Sequence, residues 1–446
     1  MHKLWGAKMV GTTGEVEQSM SFLRPRGLNA LLRRQAALQP SLRLPAKPTP
    51  CLRRFASKNA APEPRPTVRP TKGMVVTELK EVLKLMAKGL VLTAGLISSC
   101  GYVIETTKNM SGMKPPGSLV KITDEQGEAV TIHVQRKGTG DVTVLFDGGV
   151  GETSFDWDKV ADQVAAFASV VSVDRPGLGF SSPGALPRTS TQITKEYTQI
   201  LERLNVTGKI ILVAHGAGGY NMRELAEELK QTPFAQSPTC EGLVLVDALQ
   251  ENLREEMEGV SEEVRKSLVA MDGNGETVLR LARIGLIRLI SVVQHAKFVA
   301  KFSPVALPYV EYFSPSPAHR EGALRENQGI PQTEQRFRDS AAAAGPFAFP
   351  CVVLSHGKTG MFDGMKVEAG VSPETLVELE RKWLEAQTKL AHTVSSRSVH
   401  LVVKDAGHCI HHEKPEEITK AVRALVDELH GEDDEHYGLL SLTTQE

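Results

Sequence analysis

The side chains with chemistry to offer sit at the ends of short apolar runs. Ala406-Gly407-His408 closes one run and Leu245-Val246-Asp247-Ala248 closes another. An imidazole near neutrality accepts and returns a proton, and a carboxylate can orient it. A second acid, Asp363, falls in a flexible loop. The segment Ile210–Gly219 reads as a buried strand entering a glycine-rich turn, Ala214-His215-Gly216-Ala217-Gly218, followed by a helix over Tyr220–Lys230. His411 and His412 follow His408 without metal-ligand spacing on one helical face, so both are expected at the surface. The five cysteines are scattered, with no C-x-x-C pair and no zinc spacing, which points to free thiols in a reduced compartment. Neither a metal nor a cofactor is expected.

These residues need a frame. Leu119–Thr123 and Ala129–Gln135 read as a hairpin turning at Asp124-Glu125-Gln126-Gly127. Apolar strands follow at Val142–Phe146, Val170–Val173, Lys209–Ala214, Gly242–Val246, Cys351–Ser355 and Val399–Val403. Helices are expected over Trp157–Phe167, Thr189–Leu204, Tyr220–Lys230, Pro373–Ala391 and Pro415–Leu429. Such alternation predicts an α/β fold: a mostly parallel eight-stranded sheet covered on both faces, with the hairpin as its antiparallel edge. Residues 250–349 form a helical insertion. Within it, Val278–Val293 carries Arg280, Arg283 and Arg288 among dense apolar positions, and is expected as a cap helix buried on the core, the alternative being a helix that lines an acyl pocket or rests on a membrane surface.

In this order the motifs resemble those of the α/β-hydrolases over 117–432. Asp147-Gly148-Gly149-Val150-Gly151 stands where that family has its oxyanion loop, and Ser154-Phe155-Asp156-Trp157 resembles its S-x-x-W helix start. Asp174-Arg175-Pro176-Gly177-Leu178-Gly179-Phe180-Ser181 is nearly letter for letter its D-R-P-G-x-G-x-S turn. The resemblance implies that His408 is the general base, Asp247 its orienting acid with Asp363 as the second candidate, and the backbone N–H groups of Gly149 and Ala217 the oxyanion donors. Asp147 is expected to stabilise its loop. At the elbow, where the family pattern G-x-S-x-G carries its nucleophile, this chain has Gly216. Proteins of the N-myc downstream-regulated family similarly lack the nucleophile. The expected function is therefore a non-catalytic, membrane-associated member that binds a small apolar or acyl ligand or a partner. The alternative is a hydrolase of ester, acyl or related bonds that uses His408 and a bound water.

Charge is unevenly distributed. Residues 1–62 hold eleven Lys/Arg against two acids, and the rest of the chain balances at −10, with no basic face for nucleic acid. Met20–Pro62 is basic and acid-free, as in a mitochondrial transit peptide, so 1–62 is expected to target the chain to mitochondria. Residues 63–74 are a proline-rich linker, and 75–104 an amphipathic-to-apolar helix expected to enter a membrane. Its charge-free run Gly89–Ile104 is short for a span, and Lys84 and Lys88 could extend it by snorkelling. Residues 433–446 form an acidic and polar tail.

Overall fold

A computed structural model describes residues 72–431, apart from Thr232 and 341–344, together with Leu442. The expected transit segment 1–62, residues 63–71 of the linker and all of the tail except Leu442 lie outside the described residues. The described chain falls into two compact units, one comprising residues 72–96 and the other running from Ile97 onward.

In the second unit the eight expected strands form one sheet: β1 Ser118–Thr123, β2 Ala129–Lys137, β3 Val142–Asp147, β4 Ser169–Asp174, β5 Lys209–His215, β6 Thr239–Val246, β7 Phe347–His356 and β8 Ser395–Val403. Their spatial order is β1-β2-β4-β3-β5-β6-β7-β8. The β1–β2 and β2–β4 pairs are antiparallel, and every later pair is parallel. Strand β5 shows why the run Ile210–Ala214 is apolar throughout. Ile210, Leu212 and Ala214 enter one core, Ile211 and Val213 the core on the opposite face, and all are fully buried. A period of two with both faces covered leaves no position for a polar residue until the strand ends. Each such side chain contributes roughly 1.5–3 kcal/mol by burial, and Leu212→Ala would cost about 2–5 kcal/mol.

The described helices are α1 Lys72–Ser111, α2 Asp158–Val164, α3 Ser190–Arg203, α4 Gly218–Gln231, α5 Leu253–Glu258, α6 Glu262–Arg283, α7 Leu286–Val293, α8 His295–Lys301, α9 Leu307–Phe313, α10 Pro317–Ser340, α11 Asp363–Ala369, α12 Pro373–Val394, α13 Ile410–Glu413 and α14 Pro415–Leu429. Helix α12 illustrates their local logic. Ser372 caps it by accepting from the Thr375 N–H at 3.2 Å, and Pro373 opens the first turn. Leu379, Trp383, Ala386 and Leu390 recur at helical spacing and are buried. Helix α1 begins inside the expected linker and extends beyond 104. The described part of the insertion is mostly helical as far as Ser340 and its last residues, 347–349, belong to β7; the expected single helix over its middle breaks at Gly285, whose φ of 71° ends α6 and restarts the chain as α7.

Candidate functional site

Strands β3, β4, β5 and β7 end in a titratable residue, Asp147, Asp174, His215 and His356, and Asp247 directly follows β6, all at the carboxyl edge of the sheet. Ligands of open α/β sheets bind at that edge. Between β5 and α4 the chain turns through Gly216 at φ +53°, the left-handed region, with its N–H donating to Val246 O at 3.2 Å. Two neighbouring glycines are sterically required. A Cβ on Gly218 would lie 2.6 Å from Gly148 O, and one on Gly219 2.7 Å from the Ala248 Cβ. Gly216 differs, since a Cβ there would meet Gly149 Cα at 3.5 Å and His408 Nε2 at 3.8 Å, both ordinary contacts.

Asp247 and His408 come together. His408 Nδ1 donates to Asp247 Oδ2 at 2.5 Å, although the two residues are 161 positions apart. The same carboxylate accepts from His356 Nδ1 at 2.6 Å, from Trp383 Nε1 at 2.8 Å and from the His356 N–H at 3.2 Å. Burial would raise the pKa of Asp247, but the His356 and His408 imidazoles outweigh it and hold the group ionised. Burial also opposes charge on His356, yet Asp247, with help from Glu380 at 3.0 Å, pushes its pKa up to about 10. His408 moves the other way. Burial and the neighbouring His215 hold it well below the ordinary histidine value, so its imidazole is neutral, with Nε2 facing position 216. Asp363 is exposed at the start of α11, its carboxylate beside Gly360.

The expected oxyanion donors have different surroundings. The Gly149 N–H is taken: it donates to Glu152 Oε2 at 2.6 Å. His215 Nδ1 contacts the same oxygen at 2.8 Å. Burial opposes charge on His215, and the Glu152 carboxylate overcomes it, raising the pKa. The Ala217 N–H lies in the turn directly before α4 and carries no hydrogen bond among the described residues. Asp147 holds its loop together, accepting from Arg175, from Tyr197 Oη at 2.8 Å and from Asn221 Nδ2 at 2.7 Å. Arg175 also donates to Gly149 O at 2.7 Å and to Glu326 of α10 at 2.7 Å, fastening the cap over the loop. A narrow cleft opens beside Ala217 beneath α10, lined by Val150, Arg188, Tyr220, Asn221 and Ile330 among others.

His411 and His412 are not surface residues. The short helix α13 turns them inward, His411 to 0% and His412 to 8% exposure, against Trp157. Neither ring nitrogen of His411 has a hydrogen-bond partner among the described residues. A buried polar group left unpaired costs about 1–3 kcal/mol, so this imidazole is an unexplained expense of the fold.

Sequence reasoning overlooked Glu152, His356, Glu380 and Trp383. His356 carried a usable signal, because it ends a parallel strand, just as Asp247 directly follows one. Glu152 carried none, since a carboxylate after Gly151 reads as a solvated loop residue.

Comparison with known proteins agrees with this architecture. Residues 144–421, more than half of the chain, match the model of the alpha/beta hydrolase family. The "Uncharacterized protein YqjL" of Bacillus subtilis (strain 168) is 29% identical over 92 residues, covering 20% of this chain and 36% of that protein. The "Dihydrolipoyllysine-residue acetyltransferase component of acetoin cleaving system" of Cupriavidus necator is 28% identical over 127 residues, covering 28% of this chain and 33% of that one. The chain thus spans about a third of the length of these curated relatives. Among solved structures, a "putative epoxide hydrolase" from Pseudomonas aeruginosa superposes with a TM-score of 0.50 at 16% identity, covering 72% of this chain and 98% of its own. A thermophilic esterase from Thermogutta terrifontis gives 0.45 at 19% identity, covering 70% and 100%. At these identities the likeness is one of fold. The family match over 144–421 makes this protein a member of the alpha/beta hydrolase family.

Proposed function

We propose that the protein is a membrane-associated α/β-hydrolase-fold protein that binds a small apolar or acyl ligand, or a partner, without serine hydrolysis. In this reading Gly216 stands where active members carry their nucleophile, and His408 and Asp247 are the remnant of the catalytic relay. The observation that carries it is the contact between the Gly149 N–H and Glu152. Gly149 and Ala217 are the two proposed oxyanion donors. One of them faces a carboxylate, whose charge disfavours a developing oxyanion in the same place. The chain therefore lacks a side chain at 216 and presents a half-closed hole. A fluorophosphonate probe and a panel of acyl esters test this on the purified full chain. The expected result is neither label nor turnover. Turnover abolished by His408→Ala would overturn it.

One observation favours the alternative. The Asp247–His408 contact leaves a neutral His408 Nε2 aimed at the space beside Gly216, where it could take a proton from water attacking an ester or acyl substrate.

Membrane association rests on α1. Its stretch Leu79–Thr107 has a mean hydropathy of 1.5, its most apolar window is not buried, and it is long enough to cross a bilayer by length and composition. Its end packs on the cap: Gly101 Cα and the backbone of Gly285 lie against one another, and Arg288 Nε donates to Glu105 Oε2 at 2.5 Å. Beside that contact α7 exposes Val292 and Val293, at 71% and 85%. These valines fit a lipid surface beside residues 97–107 of α1. Carbonate-resistant sedimentation that disappears on deleting 75–100 is the expected result. Import of a reporter fused to residues 1–62 tests the mitochondrial address proposed from their acid-free basic composition.

A further inference from the structure

We propose that Glu152, His215 and His411 form a binding site for a divalent transition-metal ion of the zinc class. The proposal goes beyond the reading above and does not depend on whether the protein hydrolyses anything. Its starting point is the fully buried His411 imidazole, both of whose nitrogens lack a hydrogen-bond partner among the described residues. Lone pairs buried in this way need a proton donor or a metal. Glu152 and His215 supply the rest of the donor set, and the ligand atoms of the three residues lie within 4.8 Å of one another.

The spacing is close to what an ion requires. Glu152 Oε1 and His411 Nε2 are 3.7 Å apart, and Glu152 Oε2 and His215 Nδ1 are 2.8 Å apart. Tetrahedral coordination with bonds of about 2.0–2.1 Å separates neighbouring ligand atoms by about 3.3–3.4 Å. An ion would therefore replace the proton shared by Glu152 and His215 and draw in the His411 ring. That ring already lies 4.4 Å from His215, centroid to centroid.

The second ring nitrogen of His215 supports the same assignment. His215 Nε2 faces the His408 carbonyl oxygen at 3.2 Å, so an Nε2–H donated there leaves Nδ1 as the ligating atom. Ligating histidines are commonly fixed by such a bond from the other nitrogen to a carbonyl. Glu152 is fixed likewise by the Gly149 N–H at 2.6 Å. Two imidazoles and a carboxylate suit zinc and its borderline-soft neighbours rather than magnesium or calcium.

A competing set shares His411, namely Asp156, His411 and His412. It is the more exposed one, because Asp156 is only half-buried whereas all three residues of the first set are buried.

The test strips the full-length protein with a chelator and titrates it with Zn²⁺ by calorimetry, then with Co²⁺ by visible absorption. One ion per chain is expected, with ligand-field bands from Co²⁺ and histidine scattering in the X-ray absorption spectrum. Glu152→Gln and His411→Gln should each weaken Zn²⁺ binding at least tenfold while leaving the circular dichroism of the stripped protein unchanged. Should His411→Gln fail to fold, Glu152→Gln and the wild-type spectra decide the matter. Wild-type protein that binds no Zn²⁺, or binds it as both variants do, overturns the proposal. So does binding lost in Asp156→Asn and His412→Gln but retained in Glu152→Gln.

Discussion

Placing a hydroxyl at position 216 tests separately the two proposed defects, the absent nucleophile and the closed oxyanion hole. A Cβ fits there in ordinary contact, 3.8 Å from His408 Nε2, so the Oγ of Gly216→Ser comes within hydrogen-bond reach of a neutral imidazole. The cost is conformational: a non-glycine residue at φ +53° loses about 1–2 kcal/mol, which lowers Tm by several degrees in a domain of this size. The hydroxyl alone should not suffice. One lost oxyanion donor costs about 10²–10³ in kcat, and here the Gly149 N–H is paired with the Glu152 carboxylate. Gly216→Ser should therefore react with a fluorophosphonate at least about 10²-fold more slowly than Gly216→Ser/Glu152→Ala, both measured after chelator treatment. Labelling is followed by gel fluorescence against time, with His408→Ala added to the double variant as the control that abolishes it. Equal rates for the single and double variants would refute the claim that Glu152 closes the hole. A folded double variant that stays unlabelled would refute the assembled relay as well.

Three further outcomes follow from buried charge. Asp247→Asn removes the anion that faces His356 and His408, and should cost about 3–5 kcal/mol in chemical denaturation; a loss below about 1 kcal/mol would contradict the geometry. His356 faces Asp247, Glu380 and, across Asp247, His408, and its folded pKa of about 10 lies above the unfolded 6.5. Its stabilisation is complete below pH 6.5 and is lost as pH rises through about 10, so the denaturation midpoint should fall across that window and His356→Gln should flatten the fall. Glu105→Ala strands the buried Arg288, which retains only the carbonyls of Glu311 and Tyr312 at 3.1 and 2.9 Å. It should cost about 3 kcal/mol and speed amide exchange across 97–107 and α7, whereas unchanged exchange would mean the ion pair does not hold the helix to the cap.

The sheet was legible because its strands are buried on both faces. Apolar runs such as Ile210–Ala214 and Val352–Leu354 admit one interpretation, and the glycines at 218 and 219 mark the turn by steric need. Asp247 and His408 were legible for the same reason, as polar residues that end such runs. What the sequence did not disclose depends on where loops fold back. His411 and His412 lie on a four-residue helix too short to show periodicity, and packing against Trp157, His215 and Phe302 from distant elements buries them. Glu152 reaches His215 across 63 positions, and nothing in the local pattern signals that contact. The break of the cap helix at Gly285 is tertiary as well, because the close approach to Gly101 leaves no room for a Cβ there.

Persistence of the Asp247–His408 pair does not itself argue for catalysis. Asp247 is fully buried and accepts hydrogen bonds from His408, from the His356 ring and backbone, and from the Trp383 indole. Those donors come from the loop after β8, from the end of β7 and from α12, so one carboxylate ties together three elements at the sheet edge. Its removal would leave a charged imidazole without its anion in the core. A residue with that structural duty is required whether or not a nucleophile stands nearby. The discriminating group is His408, whose Nε2 faces position 216. His408→Gln lets a side-chain amide donate to Asp247 but supplies no base. A folded His408→Gln protein with unchanged ligand binding would assign the pair to architecture. Loss of a measurable turnover in the same protein would assign it to proton transfer.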